Sequence, residues 1–358
     1  MSNLLTINGE YGEGGGQILR TALSLSAILG QAIHLINIRG NRKKPGLAAQ
    51  HLTAVRAAAL ICEAEVQGAA LGSTELFFAP QAQPIPGLYA FDVAEVSEHG
   101  SAGATSLVLQ TLLLPLALAP AASEIIIRGG THVPWSPDFH YIQNTFLPMM
   151  SQLGVQATTS LTAWGWYPAG EGEIKLQVSG QAKLPKGPTQ TLWPERGRLR
   201  RIKGWAIAAS LPAHIAQRMR NQATKRLAEL GLPNEIEPMR VRSNSPGAGL
   251  FLKANYEYSQ AGFSVLGKIG KRSEQVADET IDDFMHFHES EAILDPHLAD
   301  QLIVPITLSG LVGPLSVAEI SAHTETNLWV VEQFLGQVAT LDHYTNTIEF
   351  IVRDNILR

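Results

Sequence analysis

Three stretches of the chain share one pattern, in which an extended run leads through a turn of small residues into a mostly apolar helix. They are GEGGGQILRTALSLSAIL (12–29), GSAGATSLVLQTLLLPLAL (100–118) and ISAHTETNLWVVEQFL (320–335). Apolar residues at helical spacing after a small-residue turn are typical of a helix that packs on a sheet. The recurrence predicts repeated α/β units, and the fold class is α/β or α+β.

The segments between these stretches predict further elements of both kinds. A helix pattern follows Pro45 and Gly46, and short β-like runs appear at STELFFAP (73–80) and around Ile125 to Ile127, where a β-branched run ends in GGT. Helices and strands therefore alternate along this part of the chain.

One segment, Gly100 to Ser123, carries no charge over a length that spans a bilayer. It begins with polar and glycine residues, it contains Gln110, Pro115 and Pro120, and no second such segment exists. We interpret it as a buried core helix, in preference to a membrane span.

A change of character at QAKLPKGPTQTLWPERG (181–197) indicates a linker, because proline, glycine and polar residues dominate there. The following residues predict a strand, a helix, three strands and a helix. In order these are LRRIKGWAIAAS (199–210), PAHIAQRMRNQATKRLAEL (212–230), IEPMRVRS (236–243), GLFLKANYEY (249–258), GFSVLGKI (262–269) and RSEQVADETIDDFMHF (272–287). We expect a small α/β domain at 186–288, inserted between two parts of a larger domain at 1–185 and 289–358.

Composition and charge narrow the class of protein. The chain has 358 residues, of which 45% are hydrophobic and 16% charged, so a globular protein is expected. A single cysteine, Cys62, excludes an internal disulfide and a multi-cysteine zinc site, and no secretory signal is apparent, so we expect a cytoplasmic protein without a membrane partner.

The charge is unevenly distributed. Residues 186–288 carry 16 Lys and Arg against 10 Asp and Glu, a balance of +6, whereas the rest of the chain has −11 and the whole −5. The densest run of bases is Arg196, Arg198, Arg200, Arg201 and Lys203. These bases either meet a polyanion or line a solvated strand and helix face, and the sequence leaves both interpretations open.

The glycine-rich stretch Gly12 to Gly16 fits neither of two familiar phosphate-binding motifs. Gln17 and Leu19 stand where a dinucleotide fingerprint requires glycine, and no Gly-Lys-Ser/Thr follows to make a P-loop. Glycines at a helix start let backbone N–H groups approach an anion, while Glu13 is suited to a divalent cation and Arg20 to a phosphate. A plain tight turn before a core helix is the alternative.

Two further clusters carry candidate chemistry. In IRGNRKKPGLAAQH (38–51), a basic loop suited to gripping phosphates precedes a helix, and an ordinary surface loop is the alternative. The candidate binding residues in this stretch are Arg39, Arg42, Lys43 and Lys44 of the loop and Gln50 and His51 of the helix.

In SAHTETNLWVVEQFL (321–335), His323 lies at or just before the first turn of a helix, with Thr326 and Asn327 behind it. The positive helix end disfavours imidazolium and leaves a neutral ring able to attack phosphorus. A histidine that merely starts a helix is the alternative.

Taken together, these clusters resemble the RNA 3′-terminal phosphate cyclase family nearly end to end. The resemblance rests on GEGGGQILR, the pattern from Arg39 through KPGL and QHL, GSAGATSLVLQT, the GGT at 129–131, LADQL at 298–302 and H-x-x-TN at His323. It implies a large domain of repeated units, each with two helices on a four-stranded sheet, interrupted by a smaller α/β insert.

The resemblance also implies a reaction. His323 corresponds to the nucleophile that takes AMP from ATP as a covalent histidyl adenylate and releases pyrophosphate. AMP then passes to an RNA 3′-phosphate, and the neighbouring 2′-hydroxyl displaces it to give a 2′,3′-cyclic end.

The same resemblance assigns the other site residues. Glu13 matches a carboxylate that binds a metal, Mg²⁺ or Mn²⁺. Positions that line the nucleotide and phosphate pocket are matched by Arg20, Arg39, Arg42, Gln50, His51, Gln110, His297, Asp300, Gln301, Thr326 and Asn327.

Two departures and two alternatives accompany this resemblance. The glycine-rich loop of the family appears as WGWYPAGEG, with Trp164 at a usually basic position and Glu171 in place of a glycine, and His297 stands where a tyrosine is common. The alternatives are a non-catalytic cyclase-like protein of ribosome assembly, which the intact motif at His323 disfavours, and a plain RNA-binding module.

Overall fold

The computed structural model describes residues 4–96, 101–185 and 193–351, and its first sheet has four strands covered by two helices. The strand order is β1-β2-β4-β3, with β1 and β2 parallel and the others antiparallel. The elements are β1 (Leu5–Asn8), α1 (Gly16–Leu29), β2 (Ile33–Ile36), α2 (Ala49–Ile61), β3 (Glu65–Gln67) and β4 (Leu76–Ala79).

A second sheet repeats this arrangement, with the order β5-β6-β8-β7 and a parallel first pair. Its second crossover contains a π-helical turn at Ile142–Phe146 between two short helices. The other elements are β5 (Leu88–Asp92), α3 (Thr105–Leu118), β6 (Ser123–Gly129), α4 (Phe139–Tyr141), α5 (Leu147–Gln152), β7 (Ala157–Ala163) and β8 (Gly172–Val178).

Residues 105–118 of the uncharged segment form α3, which confirms the interpretation as a core helix, and Gly100 lies outside the described residues. Leu109, Leu112 and Leu116 are fully buried among the neighbouring helices and strands. In the described ranges of the chain, every helix is too short or too polar to cross a membrane.

The carboxyl-terminal sheet has three strands in the order β13-β15-β14. A single parallel bridge between Leu294 and Val317 stands where the other two sheets have their first strand. The elements are α8 (Pro296–Ser309), β13 (Gly313–Ser316), α9 (Ala322–Leu335), β14 (Ala339–Asp342) and β15 (Thr347–Phe350). The mixed fold is α+β, as the sequence predicts.

The basic segment forms a sheet of its own, in the order β10-β9-β11-β12, with the six elements that the sequence pattern predicts. Two helices cover one face of this sheet around a separate apolar cluster that includes Ile202, Leu252 and Phe284. The elements are β9 (Leu199–Ala209), α6 (His214–Glu229), β10 (Asn234–Val241), β11 (Gly247–Tyr256), β12 (Gln260–Leu266) and α7 (Ser273–Ser290).

One base in the dense basic run has a structural role that neither interpretation of the run includes. Arg196 is buried, donates hydrogen bonds to the carbonyls of Phe287 at 3.1 Å and His288 at 3.0 Å, and lies 4.6 Å over the Tyr256 ring. These contacts join the segment before β9 to the end of α7.

Three other bases of the run are paired. Arg200 meets the Glu257 carboxylate at 2.5 Å, whereas Arg201 and Lys203 lie 3.7 Å and 3.9 Å from Glu235. These pairs leave fewer bases of the run without a carboxylate partner than the run of letters indicates.

Candidate active site

The glycine-rich turn before α1 lies under side chains from three other segments. A Cβ on Gly16 would stand 2.0 Å from Nε2 of His51, and one on Gly12, whose φ is +55°, would stand 2.7 Å from Oγ1 of Thr326. Real Cβ atoms do not approach other atoms so closely. The bare backbone therefore allows side chains of α2 and α9 to close over the start of α1.

His323 is the second residue of α9 and is oriented by Gln17 of α1. Nδ1 of His323 donates a hydrogen bond to Oε1 of Gln17, while Nε2 of Gln17 donates to the His323 carbonyl at 2.7 Å. Ser321 caps the helix by accepting from the N–H of Thr324 at 3.2 Å. Because Nδ1 carries the proton, the lone pair of neutral His323 is on Nε2.

Nε2 of His323 faces Glu13 and a guanidinium. It lies 3.5 Å from Oε2 of Glu13, and the same oxygen accepts from Nη2 of Arg42 at 3.0 Å. Burial lowers the pKa of His323, and Arg20, Arg42 and His297 lower it further, whereas Glu13 raises it. The neutral imidazole that the sequence predicts is favoured chiefly by burial and by these cations.

Arg20 and Asp300 form the charged floor of the site. Burial lowers the pKa of Arg20 to about 10 although Asp300 opposes the shift. Burial also raises the pKa of Asp300 to about 7, with Asp295 adding to the shift and Arg20 opposing it. Since the carboxylate does not offset the desolvation of the guanidinium, an anion bound beside Arg20 would stabilise it.

The basic loop before α2 is held by its own backbone. Arg39 has φ +56° and donates from Nη1 to the Gly46 carbonyl at 2.8 Å. Burial and the neighbouring Arg42 lower the pKa of Arg39. Among the described residues no carboxylate forms an ion pair with Arg39, and like charges held together in this way are suited to an anionic ligand.

His51 is buried and neutral. Burial lowers its pKa to about 3, with further contributions from Arg20 and Arg39. Its Nδ1 accepts from the N–H of Ala48 at 3.3 Å, so the proton is on Nε2, beside Gly16. His51 therefore acts as a hydrogen-bond donor at the start of α1.

Side chains at the amino-terminal ends of four helices connect α1, α2, α3 and α9. His51 of α2 lies against Gly16 of α1, Gln50 of α2 accepts from the N–H of Ala104 before α3 at 2.9 Å, and Gln17 joins α1 to α9. Helix amino termini carry partial positive charge and free N–H groups. Their convergence beside Arg20 and Arg42 favours a polyanion such as a triphosphate.

A cleft between α1, α3 and α8 adjoins this charged floor. Arg20, Gln110 and Asp300 line it together with Gln301 and Asn327. Within the described chain, Nε2 of Gln110 and Oε1 of Gln301 are buried without a hydrogen-bond partner. A donor and an acceptor of this kind provide specific contacts for a polar ligand.

The remaining assigned residues have other surroundings. Asn327 accepts from Thr21 at 2.6 Å and donates to the Asp300 carbonyl at 2.9 Å, so it fastens α9 to α1 and α8. Thr326 donates to the carbonyl of Ala322 at 2.7 Å, a hydrogen bond within α9. His297 is exposed, with its ring edge-on to Tyr141 at 6.3 Å.

Sequence reasoning did not assign a role to Gln17. Its neighbours in space, His323 and Asp300, lie about three hundred positions away along the chain, at 306 and 283 residues. The available signal is that Gln17 and Arg20 stand three apart at the start of α1, on one face of the helix.

Both substituted positions of the glycine-rich loop contact the insert. Trp164, whose ring stacks on His132 with a centroid distance of 4.9 Å, forms a parallel bridge with Ser243, and Glu171, with φ +53°, accepts a hydrogen bond from Asn244. Their loop therefore packs between the second sheet and the segment that links β10 to β11.

One group of three potential metal ligands occurs among the described residues, namely His132, Asp138 and His140. Nε2 of His132 and Nδ1 of His140 are 3.0 Å apart in a hydrogen bond, and the Asp138 oxygens accept from the N–H of Tyr141 and the hydroxyl of Ser264. These partners satisfy the group, which fastens the insert to the second sheet.

Glu13 differs from this group of three potential ligands, because it offers a single carboxylate. Mg²⁺ commonly binds through one or two carboxylates, with substrate phosphates and waters completing its shell. Glu13 is therefore suited to a cation that arrives with a nucleotide.

Comparison with known proteins shows the family of the chain. The family model described as RNA 3′-terminal phosphate cyclase matches residues 11–341. A protein of Nostoc sp. named RNA 3′-terminal phosphate cyclase is 51% identical over 336 residues, covering 94% of this chain and 95% of its own. Proteins of the same name from Methylococcus capsulatus and Pyrococcus abyssi are 50% and 38% identical, covering 92% and 95% of this chain and 91% and 95% of their own. The chain belongs to the RNA 3′-terminal phosphate cyclase family.

Proposed function

We propose that this protein is an ATP-dependent ligase that converts an RNA 3′-terminal phosphate into a 2′,3′-cyclic phosphodiester. The observation that carries the proposal is the orientation of neutral His323, whose Nε2 points toward Glu13 and Arg42 while Gln17 holds Nδ1. This is the geometry of an imidazole prepared to attack an electrophilic phosphorus.

The proposed reaction has three steps. Nε2 of His323 attacks the α-phosphorus of ATP, so that a P–N bond forms, the bond to the β-phosphate oxygen breaks and pyrophosphate leaves. An oxygen of the RNA 3′-phosphate then attacks the same phosphorus, which breaks the P–N bond and forms an RNA-adenylate. Finally the 2′-hydroxyl attacks the RNA phosphorus, loses its proton and displaces AMP.

The chain supplies positioning and charge for these steps. Arg20, Arg39 and Arg42 bind phosphate oxygens, supported by the amino termini of α1, α2 and α3. The Gln17 carbonyl stabilises the positive charge that develops on the His323 ring. Glu13 holds Mg²⁺ or Mn²⁺, which supplies neutralisation of charge on the triphosphate.

The proposal is tested by incubating the protein with ATP labelled in the α-phosphate and then looking for retained label on a denaturing gel. We expect the protein to keep the label, and RNA with a 3′-phosphate to discharge it as a cyclic product. Protein that binds RNA but never retains label would instead be a cyclase-like protein without catalysis or an RNA-binding module.

A further inference from the structure

Two exposed aromatic side chains stand on neighbouring turns beside α3. The indole of Trp135 is 98% exposed and the Tyr167 ring 67%. Large aromatic rings are normally buried for most of their area, so two such rings on one edge of the fold require an explanation.

The backbone holds Trp135 outward at an energetic cost. It is the third residue of the turn Val133–Ser136, follows Pro134, and has φ +62°. Glycine ordinarily occupies a turn position with positive φ, because a side chain there is strained. The Ser136 hydroxyl closes the turn by donating to the Val133 carbonyl at 3.1 Å. The turn therefore presents an indole where a less strained residue would serve the fold.

The second turn runs alongside the first. His132 and Trp166 form a parallel bridge between two adjacent segments that run in the same direction. Trp135 and Tyr167 come shortly after the bridge, one in each segment. The Tyr167 turn is closed by the N–H of Gly170, which donates to the Trp166 carbonyl at 2.8 Å. Both exposed rings thus belong to turns that follow the same bridge.

Both turns pack on the segment that starts α3. Val133 contacts Ala104 in a small apolar cluster, and a Cβ on Gly170 would stand 2.8 Å from the Cα of Ala102. The N–H of Ala104 donates the hydrogen bond that the Gln50 side chain accepts at the candidate active site. The aromatic pair is therefore continuous with the phosphate-binding end of α3.

The insert places one arginine in the loop beside the Tyr167 turn. Ser245 accepts from the N–H of Ala169 at 3.0 Å, which fixes the insert loop against the Tyr167 turn, and Arg242 is exposed in the same loop. Aromatic rings beside a basic element are characteristic of surfaces that bind single-stranded nucleic acid.

We propose that Trp135 and Tyr167 form a stacking platform for the nucleobases next to the RNA 3′ end. The inference rests on the proposed function, because it takes an RNA end as the substrate of the adjacent site. Stacking suits such a substrate, since the reacting phosphate and ribose are common to all RNA ends and every base has a π-face.

The variant Trp135→Gly tests the platform, because it should lower RNA affinity without lowering the stability of the fold. Trp135→Gly removes backbone strain, so the protein should unfold at the same or a higher urea concentration. Its affinity for single-stranded RNA with a 3′-phosphate should fall by about tenfold or more. An oligonucleotide whose last bases are replaced by abasic ribose should bind both proteins equally weakly.

The matched control is Tyr258→Ala. Tyr258 is also exposed, and it follows the carboxyl-terminal end of β11, whereas Gly247, at the amino-terminal end of that strand, packs on Trp166. We expect this variant to bind RNA like the unaltered protein. Adenylation by ATP without RNA should be normal in both variants, which separates the platform from the chemistry. Unchanged RNA affinity in Trp135→Gly would overturn the platform.

Discussion

Gln17 and His323 bind each other through both polar atoms of the glutamine side chain, although 306 residues separate them in the chain. The amide nitrogen holds the His323 backbone at the first turn of α9, and the amide oxygen holds the ring. One side chain thus fixes both the position and the tautomer of the proposed nucleophile.

Gln17→Ala should slow adenylation by roughly tenfold to a hundredfold, because the ring loses its fixed orientation. Gln17→Glu keeps an acceptor but adds negative charge, which raises the pKa of His323. Protonated ring cannot attack, so the acid limb of the rate profile should move to higher pH. Initial rates of label transfer between pH 5 and 8 check this. A profile identical to that of the unaltered protein would contradict the positioning role.

His323→Ala should abolish the adenylate, and in the unaltered protein AMP should be attached to Nε2. The Nδ1 proton is held by Gln17, which leaves Nε2 as the nucleophilic atom. A P–N adduct is labile in acid and stable in alkali. Peptide mapping with ³¹P NMR of the isolated adduct distinguishes the two nitrogens. Label on Nδ1 or on a lysine would refute the mechanism.

Glu13→Ala should impair adenylation far more than folding. A carboxylate near a helix start contributes only about 0.3 to 1 kcal/mol to stability through the dipole, and its pair with Arg42 is partly exposed. The rate should fall most at low Mg²⁺. Glu10→Ala, in the same loop, is the control and should label normally. Equal rates for the two variants across a magnesium titration would exclude a cation-binding role for Glu13.

The sequence predicts elements better than it predicts partners. Periodicity and turn residues gave the elements of the insert and the buried α3, since these depend on local patterning. Local patterning did not distinguish Arg196, which packs on Tyr256 and Phe287, from the more exposed bases beside it in the sequence. Nor did it find the role of Gln17. Both depend on contacts between distant segments, which local sequence does not encode.

Buried histidines predict a loss of stability in acid. Burial lowers the pKa of His51 and of His132 from 6.5 to about 3, so between these values the unfolded chain binds protons that the folded protein does not. Stability should therefore fall as the pH drops from 6.5 toward 3, by up to about 1.4 kcal/mol per pH unit for each histidine. Asp300 opposes this between its two pKa values, about 7 when folded and 3.8 when unfolded.

Urea unfolding at pH 7 and pH 5 measures the effect, with His132→Asn as the comparison. The variant should lose part of the pH dependence, because one buried neutral imidazole is gone. An unchanged difference between the two pH values would show that His132 titrates normally in the folded protein.

The contact between Gly16 and His51 predicts an unusual response to alanine. Within an exposed helix, Gly→Ala stabilises by about 1 kcal/mol. Here the added Cβ would stand 2.0 Å from Nε2 and 2.6 Å from Cδ2 of a buried ring, and 3.1 Å from Nη1 of Arg20. The ring must move, so Gly16→Ala should destabilise the protein by about 1 to 3 kcal/mol and reduce adenylation.

A double-mutant cycle with His51→Ala separates this clash from other effects of the new methyl group. Once the ring is removed, the Cβ has room, so Gly16→Ala should cost much less in the His51→Ala background, and the two changes should not add. Adenylation should remain low in the double variant, because His51 and its proton are missing beside the start of α1. If the free energies of unfolding add within about 0.5 kcal/mol, the glycine is not required by His51, and the bare turn must be explained by its ligand alone.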